Sequence, residues 1–330
     1  MVAIGVLVPV NPGPLQPPMT RPVGRAALAL RKEGITVIFA DRIERRGDEV
    51  WMTGQIAIPG AWQTVTQSVQ AIHDRYPSQR RARSYAAAMD VVGNLPLGNP
   101  TSLTMLCRDK LDCQRWLASH GIPMPAVSSD PQEWPSLLTQ WGSGFLKPRY
   151  GALGIGVQRV CPGDALPHTC QGVVPGKQDP TILQRAIAPP SGWAGLSVRA
   201  LCQRKTDKSW TICPPVLRRS TTDFVVNAAR GATVHPAEDV LSADSMKAMA
   251  QLCQSTCAAF SAHPDGDRLV EVGLDLVIDP QWDPHLIEVN SRPRGRLEVL
   301  ASADPARFHA AHIDACARPI RYLAHIAQAR

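Results

Sequence analysis

Alternating apolar and polar positions divide the first hundred residues into the elements of a small α/β unit. A β-rich apolar run occupies residues 3–10, and residues 22–32 carry alanine and leucine at helical spacing. Gly34 is a helix-ending signal, and residues 35–40 (ITVIFA) form a second apolar run. A strand, a helix and a strand in this order predict the beginning of a parallel sheet.

Beyond residue 100 the pattern predicts mainly antiparallel strands. Pro96 and Pro100 indicate a boundary, and one amphipathic helix is predicted at 104–118. Further strands are predicted at 144–160 (as a hairpin), 181–188, 197–205, 209–219, 268–279 and 285–290. Ser242 is the expected N-cap of a helix that runs to Ala262. A last helix begins near Pro305, with an interruption expected at Pro319.

The composition is that of a globular protein. Apolar residues make up 44% of the 330 positions and charged residues 19%, which is too apolar for a disordered chain. No apolar run approaches the roughly 20 residues that cross a bilayer, and no basic residue precedes the first run. We therefore expect a cytoplasmic protein without a membrane segment or a signal peptide.

Two features of the composition exclude other classes of protein. The nine cysteines form no C-x-x-C pair, which argues against a disulfide framework and against a cysteine-type zinc site. The formal charge of +7 raises the question of a nucleic-acid partner. Because only 5% of the residues are aromatic and the basic residues are dispersed, we expect no nucleic-acid binding.

Oxygen-bearing side chains interrupt two of the predicted apolar strands. Asp275 and Glu288 are thirteen residues apart across a predicted hairpin, so they can face one another, and Asn290 points to the same side as Glu288. Two carboxylates and a carboxamide on one face form an all-oxygen site suited to Mg²⁺. Each acid taken alone is equally well explained as a solvated residue of an edge strand.

A glycine-containing loop follows Lys147 at residues 151–156 (GALGIG). Glycine allows backbone N–H groups to approach a phosphate closely, although such a loop is often only a hairpin turn. Neither a G-K-[ST] sequence nor a helix-opening G-x-G-x-x-G is present, which argues against a P-loop NTPase and a dinucleotide-binding domain. Basic residues that indicate anionic partners surround these elements: Lys110, Lys147, Arg199, Arg218, Arg219, Arg230, Arg292, Arg294 and Arg296.

In this order the segments resemble the ATP-grasp superfamily, most closely its YheC/YheD-like, spore-coat-associated branch, which is related to glutathione synthetase and ribosomal-protein glutamate ligases. The resemblance runs from about residue 4 to about residue 300. It is carried by RDKLDCQRWLASHGIPMPAV, FLKPRYGALGIGV, ILQRAI, SVRALCQRKTDKSWT, VVNAARGA, GLDLVID and LIEVNSRP, with DRYPS at 74–78 and the N-terminal IGVLV.

The resemblance implies an α/β (α+β) fold in which two antiparallel-sheet subdomains clamp ATP behind an N-terminal α/β pre-ATP-grasp domain. The expected domains are residues 1–100, residues 101–188 and residues 189–330. A homodimer would be ordinary for such proteins.

Site residues follow from the same resemblance, position by position. The nucleotide would be bound by Lys110, Lys147, Gly151, Gly154, Gly156, Gln184, Arg185, Ala186 and Ile187. The metal, Mg²⁺ with Mn²⁺ as an alternative, would be held by Asp275, Glu288 and Asn290. Arg199 and one of Arg218 and Arg219 would act on the transferring phosphoryl group, and substrate would meet Asn227, Arg230 and Arg292. Ser197 stands where the family usually has aspartate.

The activity implied is that of an ATP-dependent carboxylate–amine ligase. A small-molecule or peptide carboxylate would attack the γ-phosphate of ATP, and an amine would displace phosphate from the resulting acyl phosphate to form an amide. A small-molecule kinase and a non-catalytic, ATP-binding structural or assembly protein are the alternatives. No histidine is needed in this chemistry, so His73, His120, His168 and His285 are interpreted as surface or loop residues.

Overall fold

The computed structural model describes residues 1–8, 21–75, 83–151, 154–171, 178–224, 226, 232–293 and 296–329. These residues form three β-sheets and eight α-helices. The helices are α1 (Arg21–Lys32), α2 (Arg83–Val92), α3 (Thr101–Arg108), α4 (Lys110–Ser119), α5 (Trp134–Trp141), α6 (Ala243–Ser261), α7 (Leu297–Ala303) and α8 (Pro305–Gln328). Two short 3₁₀ helices lie at Ala237–Asp239 and Gly266–Arg268.

The first sheet is mixed and contains the predicted parallel unit. Its strands are β1 (Val2–Leu7), β2 (Ile35–Arg46), β3 (Glu49–Ile58), β4 (Ala61–Val69), β5 (Ala71–Asp74) and β6 (Leu97–Gly98), in the spatial order β4-β3-β2-β1-β5-β6. β1 pairs in parallel with β2 and β5, as the strand–helix–strand order predicts. The antiparallel meander β2-β3-β4 was not anticipated from the sequence.

The second sheet is antiparallel and small. Its strands are β7 (Val127–Ser128), β8 (Gly144–Pro148), β9 (Gln158–Val160), β10 (Thr169–Gln171) and β11 (Gln178–Arg185). β8 pairs with both β9 and β11, so the predicted hairpin at 144–160 is present in the described residues. The helix α5 covers this sheet through Trp134 and Leu138, which are buried against Leu146 and Leu183.

The third sheet is also antiparallel and carries the largest core. Its strands are β12 (Gly195–Arg204), β13 (Trp210–Ile212), β14 (Val216–Ser220), β15 (Thr233–Pro236), β16 (Glu271–Ile278) and β17 (Pro284–Asn290). The long helix α6 packs on it with Met249, Cys253 and Phe260 fully buried. Ser242 is the N-cap of α6, as predicted, and its hydroxyl accepts a hydrogen bond from the Ser245 N–H.

Three local expectations were wrong. The single helix at 104–118 is two helices, because Asp109 ends α3 and caps α4 by accepting from Leu111 N and Asp112 N. Helix α8 continues through Pro319 without a break. His73 is buried on β5 with 4% of its surface exposed, so it is not a surface residue.

The α/β architecture with two antiparallel sheets agrees with the expected fold class. No helix of the described residues is both long enough and apolar enough to span a membrane. The domain boundaries at residues 100 and 188 stay a prediction.

Candidate active site

A cavity of about 430 Å³ lies between the second and third sheets. Among the described residues its walls carry nine lysine or arginine side chains and only two carboxylates, so it is strongly electropositive. One part is apolar and is walled by Ile187, Val226 and Ile278, with the Phe145 and Phe224 rings 5.6 Å apart beside it. A cavity with an apolar part and an excess of cations suits an anionic ligand that also has an apolar group.

The β16–β17 pair brings the oxygen-bearing side chains together. Asp275 and Glu288 are direct partners in the antiparallel register, and Asn290 Nδ2 lies 3.0 Å from Asp275 Oδ2. The turn between the strands is local, since Asp279 Oδ1 accepts hydrogen bonds from two backbone N–H groups within it. The hairpin inferred from the sequence therefore places all three side chains on the cavity wall.

Two arginines on neighbouring strands hold Asp275. Arg199 lies opposite it on β12 and donates from Nε to Oδ1 at 2.7 Å, and Arg218 on β14 donates to the same oxygen at 2.9 Å. Burial raises the pKa of Asp275, but the two guanidinium groups outweigh burial and lower that pKa below its usual value. Burial likewise opposes the charge of Arg199, while Asp275 raises the pKa of Arg199 above its usual value. Asp275 is therefore charged, and its carboxylate accepts hydrogen bonds from Arg199, Arg218 and Asn290.

Of the adjacent arginines Arg218 and Arg219, only Arg218 lines the cavity. The Arg219 guanidinium lies over the Trp193 ring, 4.7 Å from its centroid. Successive strand residues point to opposite faces of a sheet, so one of the pair must point away. Ser197, at the position of the usual family aspartate, is buried on the cavity wall, and its hydroxyl has no hydrogen-bond partner among the described residues.

Two lysines reach the cavity from different elements. Lys147 on β8 is half-buried and donates to Gln184 Oε1. Desolvation is the main cause that lowers the pKa of Lys147 to about 8, although Glu288 and Asp275 oppose this shift. Lys110 begins α4, donates to the Gly151 carbonyl oxygen, and has Nζ 3.8 Å from Glu288 Oε1. Both ammonium groups therefore lie near the two carboxylates.

The position of Lys110 depends on the helix break at Asp109. Arg149 donates to both Asp109 carboxylate oxygens, at 2.8 and 2.7 Å, and the Arg149 carbonyl oxygen accepts from Lys110 N at 3.2 Å. Burial raises the pKa of Asp109, but hydrogen bonds from Arg149 and from the helix N–H groups lower it on balance. This cluster attaches α4 to the end of β8.

The remaining expected nucleotide residues are mostly on the cavity wall. Gly151, Gly154 and the stretch Gln184–Ile187 line it. Gly156 does not; it has φ +71°, and a Cβ there would come within 2.6 Å of the Gln171 carbonyl oxygen. Gly156 is therefore required by the backbone of the loop.

Among the expected substrate residues, Arg292 lines the cavity and forms an ion pair with Asp74 of β5. Asn227 and Arg230 lie outside the described residues, as does Arg294. Sequence reasoning missed Arg75, which also lines the cavity and pairs with Glu271. Arg75 lies within the DRYPS segment of the family resemblance, but the sequence assigned it no role, because its partner lies 196 positions away.

The donor set fits a divalent cation that also binds phosphate. Two carboxylates and the Asn290 carboxamide oxygen are hard ligands of the kind Mg²⁺ prefers. The described residues contain no group of three or more His, Cys, Asp and Glu side chains that could hold a metal. Oxygens of a bound nucleotide would therefore have to complete the coordination.

A second cavity of about 590 Å³ adjoins the first, and Arg75 lines both. Its walls are largely apolar and come from α1, the first sheet, α7 and α8. Its polar lining residues include His73, Arg75, Gln203, Glu271, Glu298, His309 and His312. The second cavity thus joins an apolar space to the electropositive one.

Solved structures with the same fold are named as ligases or synthetases. D-cycloserine synthetase DcsG has 18% identity and a TM-score of 0.59, and the aligned residues cover 98% of this chain and 99% of the DcsG chain. D-alanine–D-alanine ligase from Coxiella burnetii has 12% identity and a TM-score of 0.56, and the aligned residues cover 99% of this chain and 95% of the ligase. An ATP-grasp ligase from Chryseobacterium gregarium, solved with ADP and with leader and core peptides, has 11% identity and a TM-score of 0.55, covering 96% of both chains. The chain has the ATP-grasp fold.

The family comparison is more specific. Residues 164–326 match the family described as YheC/D-like ATP-grasp. Residues 164–326, just under half of the chain, therefore belong to the YheC/D-like ATP-grasp family, and the chain as a whole has the ATP-grasp fold. No curated protein sequence matches the chain.

Proposed function

We propose that the protein is an ATP-dependent carboxylate–amine ligase that forms an amide through an acyl phosphate and releases ADP and phosphate. The observation that carries the proposal is one electropositive cavity in which Asp275 and Glu288 face each other among Lys110, Lys147 and Arg199. A triphosphate and a carboxylate both carry negative charge, and a cavity with this excess of cations can hold the two together.

The proposed roles follow from position. Lys110 and Lys147 bind phosphate oxygens, and Gln184–Ile187 with the apolar wall bind adenine. Arg199 and Arg218 stabilise the transferring phosphoryl group once they are drawn from Asp275. No nucleophilic side chain is required, since orientation and charge compensation lower the barrier.

Asp275, Glu288 and Asn290 would hold Mg²⁺, or Mn²⁺ in its place. A divalent cation held by these residues would supply positive charge that offsets the charge of the phosphates during transfer. For this, Asp275 must release at least one of the hydrogen bonds that it accepts from Arg199, Arg218 and Asn290.

The second cavity is our candidate for the non-reacting part of a substrate. Arg296 lines the first cavity, and its guanidinium group has no hydrogen-bond or ion-pair partner among the described residues, so this group is available to an anionic substrate. Arg75 connects the two cavities, and the walls of the second are largely apolar. A substrate with an apolar body and a carboxylate head would fit this arrangement.

The test is turnover in the presence of hydroxylamine. Purified protein is incubated with Mg²⁺, ATP, hydroxylamine and pooled amino acids, divided into an apolar and a polar pool, and ADP, AMP and hydroxamate are measured. We expect ADP with hydroxamate, more from the apolar pool, because hydroxylamine traps acyl phosphates. Glu288→Gln should abolish turnover while leaving the fold intact.

Each other outcome separates the alternatives. ADP without hydroxamate, with a stable phosphorylated product, would indicate a kinase. AMP with pyrophosphate would contradict the acyl phosphate mechanism. ATP binding without turnover on any carboxylate would favour a structural or assembly role, and full activity of Glu288→Gln would refute the metal assignment.

A further inference from the structure

The outermost strand of the first sheet is unusual among the edge strands of this protein. β4 has nine residues, pairs with β3 along all of them without a bulge, and has no second neighbour among the described strands. The other described edge strands are shorter: β6 and β7 have two residues, β9, β10 and β13 three, β15 four and β17 seven. β15 and β17 also contain proline, and Glu288 of β17 is in the candidate active site.

The composition of β4 lacks the devices that normally protect an edge. Its sequence, AWQTVTQSV, has no charged residue, no proline and no glycine. Glu49 is the only charged residue between positions 49 and 69, in a chain with a formal charge of +7. An antiparallel strand with a free edge directs every second N–H and C=O outwards, and proteins usually blunt such edges with lysine, proline or a bulge. An edge without these features is suited to pairing with another strand.

The order of residues in β4 indicates which strand would pair with its free edge. Residues 63–67 read Gln-Thr-Val-Thr-Gln, which is the same in both directions about Val65. If two copies of β4 pair antiparallel about a two-fold axis at Val65, then Gln63 meets Gln67, Thr64 meets Thr66, and Val65 meets Val65 of the other copy. Like residues therefore meet, with no charge opposed to charge.

The side chains of β4 already form such pairs with β3. Thr66 Oγ1 lies 2.9 Å from Thr53 Oγ1, and Gln55 Nε2 donates to Thr64 Oγ1 at 2.7 Å. Thr64 and Thr66 are exposed, and Val65 is half-buried. A second copy would continue this row of threonine and glutamine contacts across the new strand pair.

We propose that two copies of the chain associate through their β4 edges, in an antiparallel pair centred on Val65. The two six-stranded sheets would form one continuous sheet of twelve strands. A two-fold contact uses the edge of both copies at once, so assembly stops at the dimer. No residue of β4 lines either cavity, so this contact is separate from the candidate active site.

The first test is the mass of the protein in solution by light scattering after gel filtration. We expect twice the chain mass of 35.8 kDa for the wild type and the single chain mass for the double variant Thr64→Lys/Thr66→Lys. Lysines would face each other in both threonine pairs of the interface. The control Gln132→Lys/Thr139→Lys adds the same charge at exposed positions near or on α5 and should stay dimeric. ATP binding should be the same in all three proteins.

A cross-link provides an independent test if the lysine variant fails to fold. Val65→Cys places two thiols opposite each other at the axis, and opposed residues in an antiparallel pair lie within the Cα distance that a disulfide spans. We expect a disulfide-linked dimer on a non-reducing gel for Val65→Cys but neither for the wild type nor for Thr139→Cys. A monomeric wild type, a dimeric double-lysine variant, larger open assemblies or no Val65→Cys cross-link would each overturn the proposal.

Discussion

The replacement Glu271→Gln tests how the first sheet is fixed to the third. Glu271 on β16 is buried, with 5% of its side chain exposed, and it is the common partner of three polar groups. Arg75 forms an ion pair with it, Gln203 Nε2 donates to Oε2 at 2.9 Å, and His73 Nε2 lies 3.5 Å from Oε1. The carboxamide would keep the shape of the side chain but remove the charge that balances Arg75.

The magnitude follows from the pKa of Glu271. Burial raises that pKa, but Arg75, with further contributions from His73 and Gln203, outweighs burial and lowers it from 4.5 to about 2. A shift of this size corresponds to about 3 kcal/mol of stability, and loss of one partner of a buried pair costs about as much. Because the folded-state pKa is depressed, this stabilisation is complete above pH 4.5 and is lost as the pH falls towards 2.

Urea unfolding at a series of pH values measures the effect. We expect Glu271→Gln to reduce the free energy of unfolding by about 3 kcal/mol at pH 7, with the difference from wild type shrinking below pH 4.5. The exposed residue Glu298 provides a control, since Glu298→Gln should change stability by less than about 0.5 kcal/mol. A difference between wild type and Glu271→Gln that is small, or that does not depend on pH between 4.5 and 2, would refute the reasoning.

Three further predictions concern the candidate active site. Asp109→Ala removes the cap of α4 and two hydrogen bonds from Arg149. It should therefore lower the free energy of unfolding by about 2 kcal/mol in a urea titration and weaken ATP binding. Unchanged values for both would contradict the role of Asp109. Because the pKa of Lys147 is lowered to about 8, ATP affinity measured by calorimetry should fall as the pH rises through 8, and Lys147→Met should remove that dependence. Arg218→Met should reduce turnover far more than Arg219→Met, because Arg218 contacts Asp275 in the cavity and Arg219 does not. Equal losses in a steady-state assay would show that both arginines act there.

Features that depend on neighbouring positions were predictable from the sequence. The β1-α1-β2 unit, the N-cap Ser242 and the β16–β17 hairpin were all confirmed, since each is set by side-chain periodicity or by a cap within a few residues. Asp275 and Glu288 face each other across that hairpin because the register shifts between Asp275 and Leu276, which periodicity alone does not predict. The overall fold was predicted from the resemblance of several ordered segments to one family.

The errors lie where a distant residue decides the local structure. The helix break at Asp109 coincides with an ion pair to Arg149, 40 positions further on, which no helical periodicity could reveal. His73 is buried because β5 lies between β1 and β6 and its side chain meets Glu271 of the third sheet.

The sequence by itself therefore determined the β1-α1-β2 unit, the start of α6 and the β16–β17 hairpin, because their causes are local. It also determined the resemblance to ATP-grasp proteins, because related chains carry the same segments in the same order. Only the tertiary structure decided which of Arg218 and Arg219 enters the cavity, because strand pairing sets the face on which each lies. It likewise brought Arg75 to the cavity, since packing joins it to a partner 196 positions away. The pattern of residues along the chain does not reveal these contacts, because the residues become neighbours only when the sheets pack together.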